Sequence, residues 1–361
     1  MKKVLVMAAM LLGTTAAAFA QDAKAMNAEV QAVKGQVEKA QQAWILDQAN
    51  EGKAKAYTEA IANFIDKAYA LDQVAEQPDA KGKVNNKFRK GNSQVINDHR
   101  SQLINGGIEA INSDNNAKAL EYFGKYVGAA KHPMMARFNY EQTDTMIPMI
   151  AYYACIAAAR MENHTELLKY ADQAALDKEN GAAAMEMKCA SLKALERNDE
   201  FLAALKEGLA KFPNDNYFVG NMVDYYTQNN QYAEAVSYID SQINANPSND
   251  YFYFVKGYLF QTQKEFEKAE EAYNKATSLN PEFAQSQSYA GLNLCQWAIA
   301  LGDDANVDEA KLKALYQKAL PFYEKARQLA PDDKSMWLNG LYTVYYRLGM
   351  EDKAAEIEKL M

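Results

Sequence analysis

Residues 250–281 read DYFYFVKGYLFQTQKEFEKAEEAYNKATSLNP. Tyr253, Gly257 and Phe260 fall on one face of a helix. Phe266, Ala269, Tyr273 and Ala276 then form the apolar stripe of a second helix, and Pro281 ends it. Two antiparallel helices approach closely only where one side offers small residues. Gly257, Ala269 and Ala276 supply them, and the aromatics fill the gaps on either side.

This pattern recurs. Pro213, Pro247 and Pro281 are 34 residues apart, and so are Cys155, Cys189, Val223, Gly257 and Gly291. A fixed period of this size marks a stack of helix pairs. The unit Asn216 to Pro247 carries Val219, Val223, Tyr226, Tyr232, Ala235 and Ile239 at equivalent places. Looser units run through Gly107 and Phe123, through Cys155 and Ala171, and through Met185 and Leu192. After Pro281 the pattern continues through Gly291, Tyr323, Leu341 and Ala354. The 34-residue helix–turn–helix with these small and large positions resembles the tetratricopeptide repeat. The resemblance implies an all-α, right-handed solenoid. About seven helix pairs are expected over residues 92–361, with inserts near 131–145 and 302–312. Cys155 and Cys189 then occupy the small-residue slot that Gly holds in neighbouring units, and are expected to be buried thiols. Three cysteines at these spacings make no disulfide framework.

Residues 21–91 are expected to form an N-terminal helical cap and a polar connection. One apolar stripe runs through Val30, Val33, Val37 and Trp44, and another through Tyr57, Ile61, Phe64 and Tyr69. A repeat stack needs such a cap to cover its end. The connection carries a basic run, Lys81, Lys83, Lys87, Arg89 and Lys90, read as a solvated loop with docking of an acidic partner as the alternative.

Residues 1–20, MKKVLVMAAMLLGTTAAAFA, have the layout of a secretory signal peptide. Lys2 and Lys3 precede an apolar run from Val4 to Leu12, and Ala18-Phe19-Ala20 is a small-x-small cleavage site. No Cys follows it, so a lipid anchor is not expected. The run is too short to span about 30 Å of hydrocarbon. Met146 to Ala159, the next most apolar stretch, suits a core helix. The expected location is therefore outside the inner membrane, most simply the periplasm.

The chain has 361 residues, with 39 Lys and Arg against 47 Asp and Glu, a net charge of −8. That balance argues against a nucleic-acid binder, which needs a basic face to displace counterions. The sequence carries none of the common catalytic or metal motifs. There is no H-E-x-x-H, Walker loop, dinucleotide fingerprint or G-x-S-x-G elbow, and His99, His132 and His164 are scattered. Asp304, Asn306 and Asp308 alternate like a calcium loop, but Glu309 and Leu315 stand where Gly and a bidentate Glu are needed. Asp308 is read as a helix cap instead. No catalytic residue, metal or cofactor is expected.

In the resembled family the first helix of each repeat lines a concave groove. The matching positions here include Tyr152, Tyr217, Asp224, Tyr251, Phe254, Tyr258 and Tyr342. Tyr251, Phe254 and Tyr258 share one helical face, at i, i+3 and i+7, and either line the groove or lie beneath the next repeat. The Lys and Asn pattern that clamps a peptide's terminal carboxylates is missing. The expected function is a non-catalytic exported scaffold that holds a protein or peptide segment. The alternative is a small-ligand or glycan-binding protein using the same tyrosines, and self-association stays open. If the leader is cleaved as read, N-terminal sequencing of the protein from its native envelope will begin at Gln21. A chain retaining Lys2 and Lys3 would overturn that assignment.

Overall fold

The computed structural model describes the chain apart from Met1 and residues 78–83, 85, 214 and 303–307. The side chains of residues 2–22 also lie outside it. The leader side chains, Lys81, Lys83, Asp304 and Asn306 therefore fall outside the described residues. The described residues hold helices and no strand. They divide into two compact units, Met1–Ala204 and Leu205–Met361.

In the first unit α1 (Lys2–Ile45) and α2 (Glu51–Ala75) pack as a hairpin. Val30, Val33 and Val37 are buried in one cluster with Tyr57, Ile61, Phe64 and Ile65. All three valines lie beyond Ala20, so loss of the leader would leave these contacts intact. Asn50 caps α2 by accepting the Lys53 N–H at 3.1 Å. Next come α3 (Arg89–His99), α4 (Gln102–Asn112) and α5 (Asn116–Gly128). Arg89 of the basic run is not a free docking cation. It donates from Nε and Nη2 to Asp72 at 2.8 and 2.7 Å and also pairs with Glu76, pinning α3 to α2.

The first insert folds as two 3₁₀ turns, Ala129–Lys131 and Pro133–Phe138, and the short α6 (Tyr140–Thr143). Buried Arg100 holds it in place. Its guanidinium lies between the rings of Tyr126 and Tyr140, at 3.9 and 3.8 Å, and pairs with Asp144. Helices α7 (Ile147–Arg160), α8 (His164–Ala174) and α9 (Gly181–Ala194) follow, and α10 (Asn198–Lys211) crosses the boundary between the units.

The second unit continues with α11 (Asn216–Gln228), α12 (Tyr232–Ala245), α13 (Asp250–Thr262), α14 (Phe266–Leu279), α15 (Ala284–Gly302), α16 (Glu309–Leu329), α17 (Leu338–Arg347) and α18 (Glu351–Glu358). Asp308 caps α16 through the Ala310 N–H at 2.9 Å. Among the described residues the helix–turn–helix pairs are α4/α5, α7/α8, α9/α10, α11/α12, α13/α14, α15/α16 and α17/α18.

One contact repeats through these pairs: an aromatic ring of the second helix lies on a glycine of the first. Tyr273 of α14 covers Gly257 so closely that a methyl group there would stand 2.7 Å from the ring. Tyr323 of α16 covers Gly291, where the same methyl would stand at 2.8 Å, and it also touches Gly340 of α17. Phe123 covers Gly107 in α4/α5. In α7/α8 the slot holds Cys155, whose thiol donates to the Leu167 carbonyl at 3.7 Å. Cys155, Cys189 and Cys295 are all free and buried. Burial pushes the Cys155 and Cys295 thiols up to about 12, far from reactive thiolates.

The turns inside the pairs also repeat. Asp114, Glu162, Glu196, Asn230, Lys264 and Gly349 all have left-handed backbone, with φ between 50° and 72°. Each donates its N–H three residues back, as Lys264 does to Gln261 at 2.9 Å. The residue after each donates five back, as Glu265 does to Phe260 at 2.9 Å. This double bond closes a helix with a left-handed residue just past its end. Five of the six are not glycine, and each of those five turns carries the steric cost of a side chain, about 1–2 kcal/mol.

His132 caps the second 3₁₀ turn: its Nδ1 accepts the Met134 N–H at 3.2 Å. The ring is stacked on Tyr69, with centroids 3.5 Å apart. Burial holds its pKa below the ordinary value; Arg89 lowers it further, against the opposing pull of Asp72 and Glu76. Burial likewise lowers His99, whose Nδ1 lies 2.6 Å from the Tyr57 hydroxyl.

Two outcomes follow for stability. Glu196→Gly relieves the left-handed strain but loosens the unfolded chain, and the net gain is about 0.5–1 kcal/mol. Gly349→Ala changes stability in the opposite direction. Paired thermal melts check both, and equal melting of Glu196→Gly and parent would refute the strain. For the histidines, the unfolded chain binds protons more readily than the folded one. Their stabilisation is therefore present above about pH 6.5 and is lost as pH falls through the lowered folded values. His132→Asn retains a capping oxygen without the titration. Its melting temperature should fall less than the parent's between pH 7.5 and 5.5.

Candidate functional site

In the second unit the first helices of neighbouring pairs leave a groove between α13 and α15, with a cavity of about 570 Å³. Tyr258, Gln261 and Thr262 come from α13, and Tyr289, Leu292, Gln296, Ile299 and Ala300 from α15. Lys264 of the turn and Phe266 at the start of α14 close one end. The helical period explains this lining. Tyr258 and Thr262 are one turn apart, as are Leu292 and Gln296, so each pair faces the same side. A cleft of this volume, mostly apolar with a few placed polar groups, has the character of a ligand site.

Its floor is fixed by a short relay. The Tyr273 hydroxyl donates to Gln261 Oε1 at 2.5 Å, and Gln261 Nε2 donates to Gln296 Oε1 at 3.0 Å. Tyr273 and Gln261 are buried, and Gln296 is exposed. The walls are aromatic and aliphatic. Tyr258 and Tyr289 meet edge to face, with centroids 6.2 Å apart. Tyr258 is 37% exposed and Ile299 55%. Burial raises the Tyr258 pKa, with Asp224 and Tyr289 adding to it, so the phenol stays neutral.

Of the residues chosen from sequence, Tyr258 lines this groove. Phe254 does not: it is buried against Phe283 at 5.2 Å and Tyr289 at 5.3 Å. The next pair covers it, and it forms part of the core that supports Tyr289. Tyr251 is half-buried, with its hydroxyl laid on Gly220. Asp224 is exposed on α11, and its charge raises the pKa of both Tyr251 and Tyr258, after burial. Tyr217 packs edge-on against Phe218 at 5.4 Å. Tyr342 stacks with Tyr346, centroids 6.3 Å apart, and Tyr346 is 66% exposed. Tyr152 belongs to the first unit, half-buried beside Tyr153.

Sequence reasoning missed Tyr289 and Ile299. Tyr289 follows Ser288, which is buried and donates to the Met336 carbonyl. Ile299 lies in the last turn of α15, which outruns the ordinary repeat. An apolar residue at Ile299, beyond the expected end of the helix, was the available signal. Among the described residues no group of three His, Cys, Asp or Glu gathers to hold a metal. No described helix is long and apolar enough to cross a membrane.

One family of known proteins matches part of this architecture. The tetratricopeptide-repeat family matches residues 251–283, which are α13, α14 and the turn beyond them. Residues 251–283 are thus a tetratricopeptide-type helix pair, and the described residues around them form further helix pairs of an all-α fold. Solved structures similar to it include PilW, described as a widely conserved type IV pilus biogenesis factor. That protein is 15% identical, with 60% of this chain and 92% of that one covered and a TM-score of 0.43. Another is the C-terminal part of a repeat-containing protein from Cytophaga hutchinsonii, 15% identical, covering 70% and 92%, with a TM-score of 0.43. A third is MamA from Desulfovibrio magneticus RS-1, 17% identical, covering 52% and 96%, with a TM-score of 0.35. No curated protein sequence is a significant match.

Proposed function

We propose that this chain is an exported, non-catalytic scaffold that holds a segment of a partner protein in the α13/α15 groove. The observation that carries the reading is the groove itself. Tyr258 and Ile299 stay exposed beside a polar floor locked by Tyr273 and Gln261. Rigid aromatics with a polar tip, set around a preformed cleft, are the usual anchors of a partner segment. The lining offers no nucleophile beside a base, which supports binding rather than catalysis. The leader pattern of residues 1–20 supports export, and the acidic balance supports a protein partner over a nucleic acid.

A photo-crosslinking amino acid placed at Tyr258 or Ile299, in cells of the native source, tests the reading. A discrete heavier adduct is expected from both positions and not from Glu267, which is exposed on α14. Equal adducts from Glu267, or none from the groove, would refute it.

A further inference from the structure

The first insert is fastened at its two ends by different chemistry. At the far end Arg137 donates to Gln94 Oε1, and the Tyr140 hydroxyl donates to Asn97 Oδ1 at 2.8 Å. Arg100 joins Tyr126, Tyr140 and Asp144 there. None of these contacts involves a histidine. At the near end, residues 129–135, the fastening to α2 is His132. Its ring lies on Tyr69, and its Nδ1 accepts the Met134 N–H at 3.2 Å. That cap requires a neutral ring with its proton on Nε2. A protonated ring has no lone pair left, so Nδ1–H would meet the Met134 N–H, donor against donor.

The surroundings do not restore what protonation removes. Tyr69, Asp72 and Glu76 face His132 from α2 and Arg89 from α3, and exposed Lys131 precedes it in the chain. The two carboxylates attract an imidazolium, but both are already bound to Arg89, which repels it. Lys125 of α5, which lines a cleft with Tyr69, is paired with Asp66 and Glu121. His99 differs: once protonated, its Nδ1 can donate to the Tyr57 hydroxyl 2.6 Å away, so that contact survives.

What the near end covers is apolar. Met134 and Met135 are 2% and 1% exposed, in one cluster with Phe64 and Ile65. A cleft of about 420 Å³, lined by Tyr69, Gly124, Gly128 and Tyr170, adjoins it. Gly128 directly precedes the first 3₁₀ turn, and Tyr69 is the ring beneath His132.

We infer that the first insert is an acid-released strap. Protonation of His132 lifts residues 129–135 off α2, uncovers Met134 and Met135 and widens the Tyr69 cleft, while Arg100 and Arg137 keep the far end in place. The device lies in the first unit and is independent of the α13/α15 groove.

The test treats the full chain with dilute hydrogen peroxide at pH 7.5 and 5.5 and reads methionine sulfoxide peptide by peptide. Met161, 40% exposed, oxidises at both pH values and is the reference. Met134 and Met135 are expected to oxidise up to about tenfold faster at pH 5.5. That is the most that protonating one released imidazole, of ordinary pKa about 6.5, can add over this range. Met185, buried in α9, should keep its rate; acceleration there as well would mean general loosening and would overturn the strap. His132→Asn keeps a capping acceptor without the titration and should abolish the difference, whereas His99→Phe should leave it. Circular dichroism at pH 7.5 confirms that both variants are folded, and the parent's own comparison stands without them. Equal rates at Met134 and Met135 in the parent, or an undiminished difference in His132→Asn, would overturn the latch. Hydrogen exchange then maps the hinge. Amides 129–135 should lose protection at pH 5.5 while 140–150 keep theirs, and loss across both would overturn the fixed far end.

Discussion

The structure depends on aromatic rings lying directly on helix backbone. Tyr273 on Gly257, Tyr323 on Gly291 and Phe123 on Gly107 let two helices approach more closely than any side chain would allow. At that distance the ring replaces water over the glycine and gains dispersion contacts with backbone atoms, while its own faces leave no void. These glycines are conformationally ordinary, each inside a helix, where glycine costs stability against alanine. The close approach offsets that cost. Cys155 shows the tolerance of the slot, which accepts a small polarisable side chain where the facing helix permits it.

The same contact links core to groove. Tyr273 reaches past Gly257, and its hydroxyl sets the orientation of Gln261, which in turn sets Gln296. A packing interaction inside one pair therefore fixes a polar side chain on the surface of the next. Phe254, buried under Tyr289, performs the matching service for the aromatic wall. The residues that build the groove are mostly hidden from it.

This division explains how much could be read from sequence. The period, the ring-and-glycine pairing and the buried cysteines were legible because they are local patterns repeated every 34 residues. Tyr258 could be placed on the inner face for the same reason. Phe254 shares that face by helical spacing, but Phe283 and Tyr289 cover it from the following pair, and spacing carries no information about a neighbour's side chains. The left-handed turns escaped notice because five of their six residues are not glycine. The Arg100 clamp joins residues far apart in sequence, from α3's end to the insert, and belongs to no repeat. Arg89 looked like part of a solvated run because its partners, Asp72 and Glu76, lie on the preceding helix and at its end, on the far side of the polar connection.

Tyr323 differs from the other rings in touching two glycines, Gly291 of its own pair and Gly340 of the next. In a chain of repeats, stability divides into what each unit supplies alone and what each interface adds. A ring shared between two backbones belongs to the interface. If α17 detaches, α15/α16 loses one side of the packing around its central aromatic, so this end of the chain behaves as a single cooperative block instead of fraying one helix at a time. Ile299 sits on α15, inside that block. The α15 wall of the groove is thereby coupled to whether the C-terminal helices are docked.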